Sequence, residues 1–147
     1  MAMRKTISAV GVMTGTSCDG ADLALLRCEL SGGRVLSERL IGVRAAAFPP
    51  ALRKRLLKAQ AGEINLKEYG ALCRDYSLFL AALCARAAKA WRLSPSSTIL
   101  GIHGQTLWHE PPARSPNLGH PGFTLQMIDG SLVSTRTGYM TITGFRQ

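Results

Sequence analysis

Long apolar runs are missing from this 147-residue chain. A membrane-spanning helix needs about 18 or more largely uninterrupted apolar residues, and no stretch reaches that, so no membrane partner is expected. Aromatic residues are also scarce, at 6%. Acids are outnumbered, with 9 Asp plus Glu against 18 Lys plus Arg and a net charge of +9. Such an excess raises nucleic acid as a partner. The bases are scattered, however, with Arg53, Lys54, Arg55 and Lys58 on one stretch and Arg86, Lys89 and Arg92 on another. Without interleaved aromatics they read as solvated helix faces, and no nucleic-acid partner is expected. The four cysteines, Cys18, Cys28, Cys73 and Cys84, show no CxxC or Cys/His metal spacing. No metal site is therefore assigned to them. Repeats, low-complexity tracts, a Walker GxxxxGK[ST] loop and a GxGxxG fingerprint are all missing too.

What is present suits a folded globular lobe: 46% hydrophobic residues and a mean hydropathy of +0.09. The basic "MAMRK" followed by apolar "ISAVGVM" mimics a secretory signal. The run is short, contains Gly11 and leads into a polar turn rather than a cleavage site. It reads as a first strand, and the expected location is cytoplasmic.

The spacing predicts strands over 5–13, 22–30 and 35–47, joined by glycine turns, the second of them "SGGR". Pro49 and Pro50 mark a helix start, and "ALRKRLLKAQ" has helical apolar spacing that stops at Gly62. A long amphipathic helix is predicted over 66–91. "TILGIHG" reads as a short buried strand, residues 109–122 as a loop and "FTLQMID" as a strand. A short helix over 130–137 and a final strand in "YMTITGF" complete the order. The fold class is therefore α/β, with a mixed sheet opened by three antiparallel strands.

Three clusters carry chemistry. "GVMTGTSCDGAD" crowds glycines, hydroxyls and two carboxylates between two strands. Gly15 and Gly20 let a ligand approach the backbone, Thr14, Thr16 and Ser17 offer donors for an anion, and Asp19 and Asp22 suit a Mg²⁺ ion riding on a phosphate. A plain tight hairpin uses the same residue types, and spacing alone leaves the two readings level. "HGQTLWHE" follows a buried strand, where α/β proteins bind ligands. His103, Gln105 and Thr106 offer sugar-type hydrogen bonds and Trp108 a stacking surface, while a capped loop with a satisfied histidine is the plainer reading. His103 and His109 are poorly spaced for zinc. Asp129 follows a third strand, and taken alone it reads as the N-cap of the next helix.

Together "GVMTGTSCDGADLALL", "GIHGQTLWHEPP", "TLQMIDGSLVSTRTG" and the closing "FR" resemble the N-terminal part of the anhydro-N-acetylmuramic acid kinase family. The resemblance runs from about Val10 to Arg146, with the blocks in family order. It implies an ATP-dependent, Mg²⁺-using sugar kinase of the actin and hexokinase superfamily. Such an enzyme opens the 1,6-anhydro ring with water and phosphorylates O6 during cell-wall recycling. The implied fold is a ribonuclease H-like, actin-like ATPase lobe, here incomplete: residues 1–147 are expected to form the N-terminal lobe of a two-lobed enzyme, without its C-terminal lobe.

By position, the resemblance assigns Gly15, Thr16, Ser17, Cys18, Asp19, Gly20, Ala21 and Asp22 to the ATP-phosphate turn. It assigns His103, Gly104, Gln105, Thr106 and Asp129 to the sugar side of the cleft. Two departures stand out. Cys18 occupies a position where leucine is common, and Gly144 one where an aspartate usually precedes "FR". The family's general base is therefore replaced at Gly144 or lies beyond Gln147, and no catalytic residue is assigned. The expectation is a truncated chain without turnover of its own, whose ligands are ATP and a small sugar and whose partner is a second copy or a separately encoded C-terminal lobe. The alternatives are a non-catalytic sugar- or nucleotide-binding module and one half of a split kinase. The end at Gln147 fits a natural terminus, a frameshift or a cloning boundary equally.

Overall fold

The computed structural model describes residues 4–112 and 122–146. Three long strands open the chain: β1 (Arg4–Thr14), β2 (Gly20–Ser31) and β3 (Arg34–Ala47). They form an antiparallel meander, with Thr14 opposite Ala21 and Ser31 opposite Arg34. Gly32 and Gly33 make the second turn with φ of 58° and 78°. A two-residue hairpin loop needs that left-handed backbone, and glycine adopts it without a Cβ penalty.

Helix α1 (Pro50–Gln60) starts with proline in its first turn, where a missing N–H costs nothing. Helix α2 (Leu66–Ala90) is fixed at its start by a reciprocal capping box: Glu68 N–H donates to the Asn65 side chain, and the Glu68 carboxylate accepts from Asn65 N–H. Then come β4 (Thr98–Ile102), β5 (Gln105–Glu110), β6 (Phe123–Met127), α3 (Gly130–Thr137) and β7 (Met140–Ile142). Helix α3 closes on Gly138, whose left-handed φ of 74° lets its N–H reach Ser134 O.

The main sheet has the order β3-β2-β1-β4-β7, and β4 runs parallel to both β1 and β7. The expected mixed α/β sheet, opened by three antiparallel strands, is thus present. Strand alternation decides which side is dry. Val10, Val12, Leu23, Leu25, Leu100 and Ile102 point to one face, where they share a core with Leu56, Tyr76, Leu80 and Cys84 of the helices.

The structure corrects the sequence reading at one element. Gln105–Glu110 is a strand, not the polar end of one, and it pairs with β6 in a separate two-stranded ribbon. Residues 113–121 of the expected loop lie outside the described residues. The ends of the other elements shift by a few residues, as in β7, which covers only Met140–Ile142 of the apolar "YMTITGF" stretch.

Candidate functional site

The β1–β2 turn and the end of β4 meet at the carboxyl ends of the parallel strands β1 and β4. His103 N–H donates to Val12 O at 3.0 Å. The Thr14 hydroxyl donates to Gly104 O at 3.0 Å and lies 3.1 Å from Tyr76 Oη. Gln105 Nε2 donates to Gly15 O at 3.0 Å. Two of the three sequence clusters are therefore one site, joined by direct bonds. Thr14 is buried and occupied in those bonds, which removes it from the donors expected to face a ligand.

Within the turn, Cys18 N–H donates to Gly15 O at 3.2 Å. Cys18 takes φ 54°, an uncommon conformation for a residue with a side chain. Its thiol is buried and donates to Gln60 Oε1 at 3.3 Å, and burial raises its pKa above the ordinary thiol value. This is a packing sulfur rather than a nucleophile. Thr16 and Ser17 stay exposed, and Ser17 makes no hydrogen bond among the described residues. Asp19 is bridged by Arg53 at 3.1 Å, and Phe48 N–H donates to Asp19 O at 2.9 Å. At Gly20 a Cβ would strike the Ala46 carbonyl, so β2 and β3 approach closely only because the side chain is missing. A shallow concavity of about 370 Å³ is lined by Gly15, Ser17, Asp19, Gly20 and Asp22.

On the strand-end side, Gln126 Nε2 lies 2.9 Å from His103 Nε2 and 3.5 Å from Thr106 Oγ1. His103 and Asp22 line one groove together with Met13, Gly101 and Phe145. Trp108 is exposed on the ribbon, away from that groove, beside Tyr69 and Leu125.

Asp129 stands apart from those bonds. Its carboxylate accepts from Ser131 Oγ at 2.6 Å and Leu132 N–H at 2.9 Å, which is the N-cap geometry of α3. Those two bonds, the serine's first, hold its carboxyl below the ordinary range. Its own N–H donates to Ser77 Oγ at 2.9 Å. Gly104 packs against Met127 and Ile128, just ahead of it.

Sequence reasoning missed Gln60, Gln126 and Arg53. Gln60 receives the Cys18 thiol and donates through Nε2 to Thr106 O at 3.0 Å, tying the turn to β5. Nothing in the local sequence marks it, because its partners lie 42 and 46 residues away. Among the described residues no group of three metal-ligating side chains converges, and no helix is long and apolar enough to cross a membrane.

A family model described as anhydro-N-acetylmuramic acid kinase matches residues 7–147. The chain belongs to the anhydro-N-acetylmuramic acid kinase family. Relatives named anhydro-N-acetylmuramic acid kinase agree. The chain is similar to the Pasteurella multocida protein at 35% identity over 144 residues, covering 97% of this chain and 35% of that protein. It is similar to the Sulfurovum protein at 31% over 139 residues, covering 94% and 36%, and to the Mannheimia succiniciproducens protein at 35% over 140 residues, covering 94% and 34%. The chain thus spans about a third of the length of the curated relatives it matches. For this kinase family, the bonds joining the turn to the strand end make the carboxyl ends of β1 and β4 the candidate active site.

Proposed function

We propose that residues 1–147 form the N-terminal, ribonuclease H-like lobe of a two-lobed, ATP-dependent kinase. The substrate is 1,6-anhydro-N-acetylmuramic acid, whose ring is opened by water and which is phosphorylated at O6 in cytoplasmic cell-wall recycling. The observation that carries the reading is the Gln105–Gly15 bond. It sets a glycine turn with exposed hydroxyls directly beside a strand end bearing amide, imidazole and hydroxyl groups.

On this reading the backbone and side chains of Gly15, Thr16, Ser17, Cys18, Gly20 and Ala21 hold the nucleotide's phosphates. The donors here suit phosphate, because Gly20 keeps the wall thin and Ser17 is exposed and makes no hydrogen bond among the described residues. Asp19 and Asp22 would hold Mg²⁺, which supplies charge neutralisation for phosphoryl transfer. Arg53 restrains Asp19 and limits its repulsion of phosphate. His103, Gly104, Gln105 and Thr106 orient the sugar, with Gln126 fixing the imidazole. Asp129 fits a role behind them, holding the start of α3.

Gly144 supplies no carboxylate where the resemblance places one. The base that activates the attacking water is therefore assigned to no residue of this chain. Turnover also requires the opposing lobe to orient ATP and exclude water. Those groups lie outside residues 1–147, which span about a third of the length of the relatives. Titration calorimetry with MgATP, beside a phosphorylation assay on the anhydro sugar, tests both halves of the proposal. The expected result is binding without turnover by the isolated chain. No binding, or turnover by the chain alone, overturns it.

A further inference from the structure

Helix α1 ends on Gln60, and its apolar stripe decides where that end lies. Leu52, Leu56 and Ala59 are buried at spacings that keep to one helix face. With that face in the core, Arg53 and Gln60 stand about two helical turns apart on a shared neighbouring stripe. Both reach the β1–β2 turn. Arg53 bridges Asp19 at 3.1 Å, and Gln60 Oε1 accepts from the Cys18 thiol at 3.3 Å. Just ahead of the helix, Phe48 N–H donates to Asp19 O at 2.9 Å. Helix α1 is therefore a strut laid along the turn.

The turn is gripped at both ends. At its start, Gly15 O accepts from Gln105 Nε2 at 3.0 Å. At its close, Gln60 holds the Cys18 thiol and donates through Nε2 to Thr106 O at 3.0 Å. The amide has one workable orientation. A backbone carbonyl only accepts, so Nε2 must face Thr106 O, and Oε1 is left for the thiol as its donor. The thiol's other acceptor, Thr16 O, is farther off at 3.7 Å, and the Cys18 side chain is buried away from solvent. Between the two grips Thr16 and Ser17 stand exposed. On the β5 side, the Thr106 hydroxyl lies 3.5 Å from Gln126 Nε2, which also holds His103. One amide thus joins the backbone that presents Thr16 and Ser17 to the backbone that presents Thr106.

We propose that Gln60 is a positioning residue that couples the two halves of the site, so that a phosphate held at the turn and a sugar held at the strand end each strengthen the other's binding. The inference rests on the nucleotide and sugar reading above and adds to it the residue through which one ligand is felt by the other. A ligand that orders the turn fixes the Cys18 thiol, and the thiol fixes the amide plane that anchors Thr106 O. Linkage makes the effect reciprocal. The second ligand then meets a site that is already ordered.

Titration calorimetry with MgATP, without and with saturating 1,6-anhydro-N-acetylmuramic acid, reads the coupling directly. In the wild-type chain the sugar should tighten MgATP about fivefold or more. Gln60→Met keeps the side chain's volume and loses both bonds, and in it that ratio should fall below about twofold. Gln60→Glu keeps the acceptor for Cys18 but sets an oxygen against Thr106 O. It should lower the ratio as well, and it keeps the test decisive if the first variant fails to fold. Asn65→Ala weakens the cap of α2 without touching the turn, so it should lower stability and leave the ratio as in wild type. A wild-type ratio near one, or a ratio retained in both Gln60 variants, overturns the inference and leaves the kinase reading standing. An equal drop in Asn65→Ala overturns it too, by making the effect one of stability alone. Failure of either ligand to bind the wild-type chain overturns the reading of the site and this inference with it.

Discussion

Gly20 shows how much of the site depends on one missing methyl. Its hypothetical Cβ meets the Ala46 carbonyl, a backbone atom that cannot swing aside. Gly20→Val should therefore push β2 from β3 at the turn, costing about 1–3 kcal/mol, as overpacking does. Urea denaturation reads the stability, and calorimetry with MgATP should show binding abolished. Asp129 makes the complementary case, because both its roles are measurable. As the N-cap of α3 it should lose about 1 kcal/mol on change to Ala and little on change to Asn, which keeps the acceptor. Its carboxyl is held below the ordinary carboxylate value, so folding favours the charged form. That contribution is complete above the unfolded value near 3.8 and is lost as pH falls through the lower folded value. Thermal melts of wild type and Asp129→Asn between neutral pH and pH 3 should converge at the acid end.

Helix α2 is the element on which the core is built, since Leu72, Tyr76, Leu80, Cys84, Ala87 and Ala88 all bury along it. Asn65→Ala removes the acceptor for Glu68 N–H and should lower stability by about 1 kcal/mol, read as a shifted urea midpoint at unchanged slope. This helix was legible from sequence because apolar residues recur every three and four positions and Gly and Pro stay out of its core-facing stripe. The three opening strands were legible as apolar runs separated by glycine turns, whereas the irregularities at Leu25/Leu26 and Glu29/Leu30 in the β2–β3 ladder were not. Strand β5 was not. Its buried positions are Gln105 and Leu107, so half of its inward face is a polar amide whose partner, Gly15 O, lies 90 residues away. The alternation of Thr106 and Trp108 against Leu107 was the available signal, and the density of polar side chains masked it. The site divides similarly. Its turn and strand-end blocks were legible as residue types, whereas their union, and the tie through Gln60, exist only in three dimensions.

At the scale of the whole molecule, the excess positive charge is partly committed to structure. Arg53 bridges Asp19, and Arg55 and Arg74 both bridge Asp75. These exposed pairs are worth little each, but they agree with the reading of the basic helix faces as solvated surface. Stability against alkali has a sharper origin. Cys84 lies in the core, and burial pushes its thiol from 9.0 up to about 12. Desolvation likewise raises Cys18 and Tyr76. The folded chain therefore holds protons that the unfolded chain releases, so stability is complete below pH 9 and falls as pH rises toward 12. Each such group lowers stability by up to about 1.4 kcal/mol per pH unit across its window. Urea midpoints measured from pH 8 to pH 10.5 should fall steadily. In Cys84→Ala the starting midpoint is lower, from the lost packing, but the decline with pH should be shallower. An equal slope in the variant would show that this thiol is not among the groups whose ionisation opposes the fold.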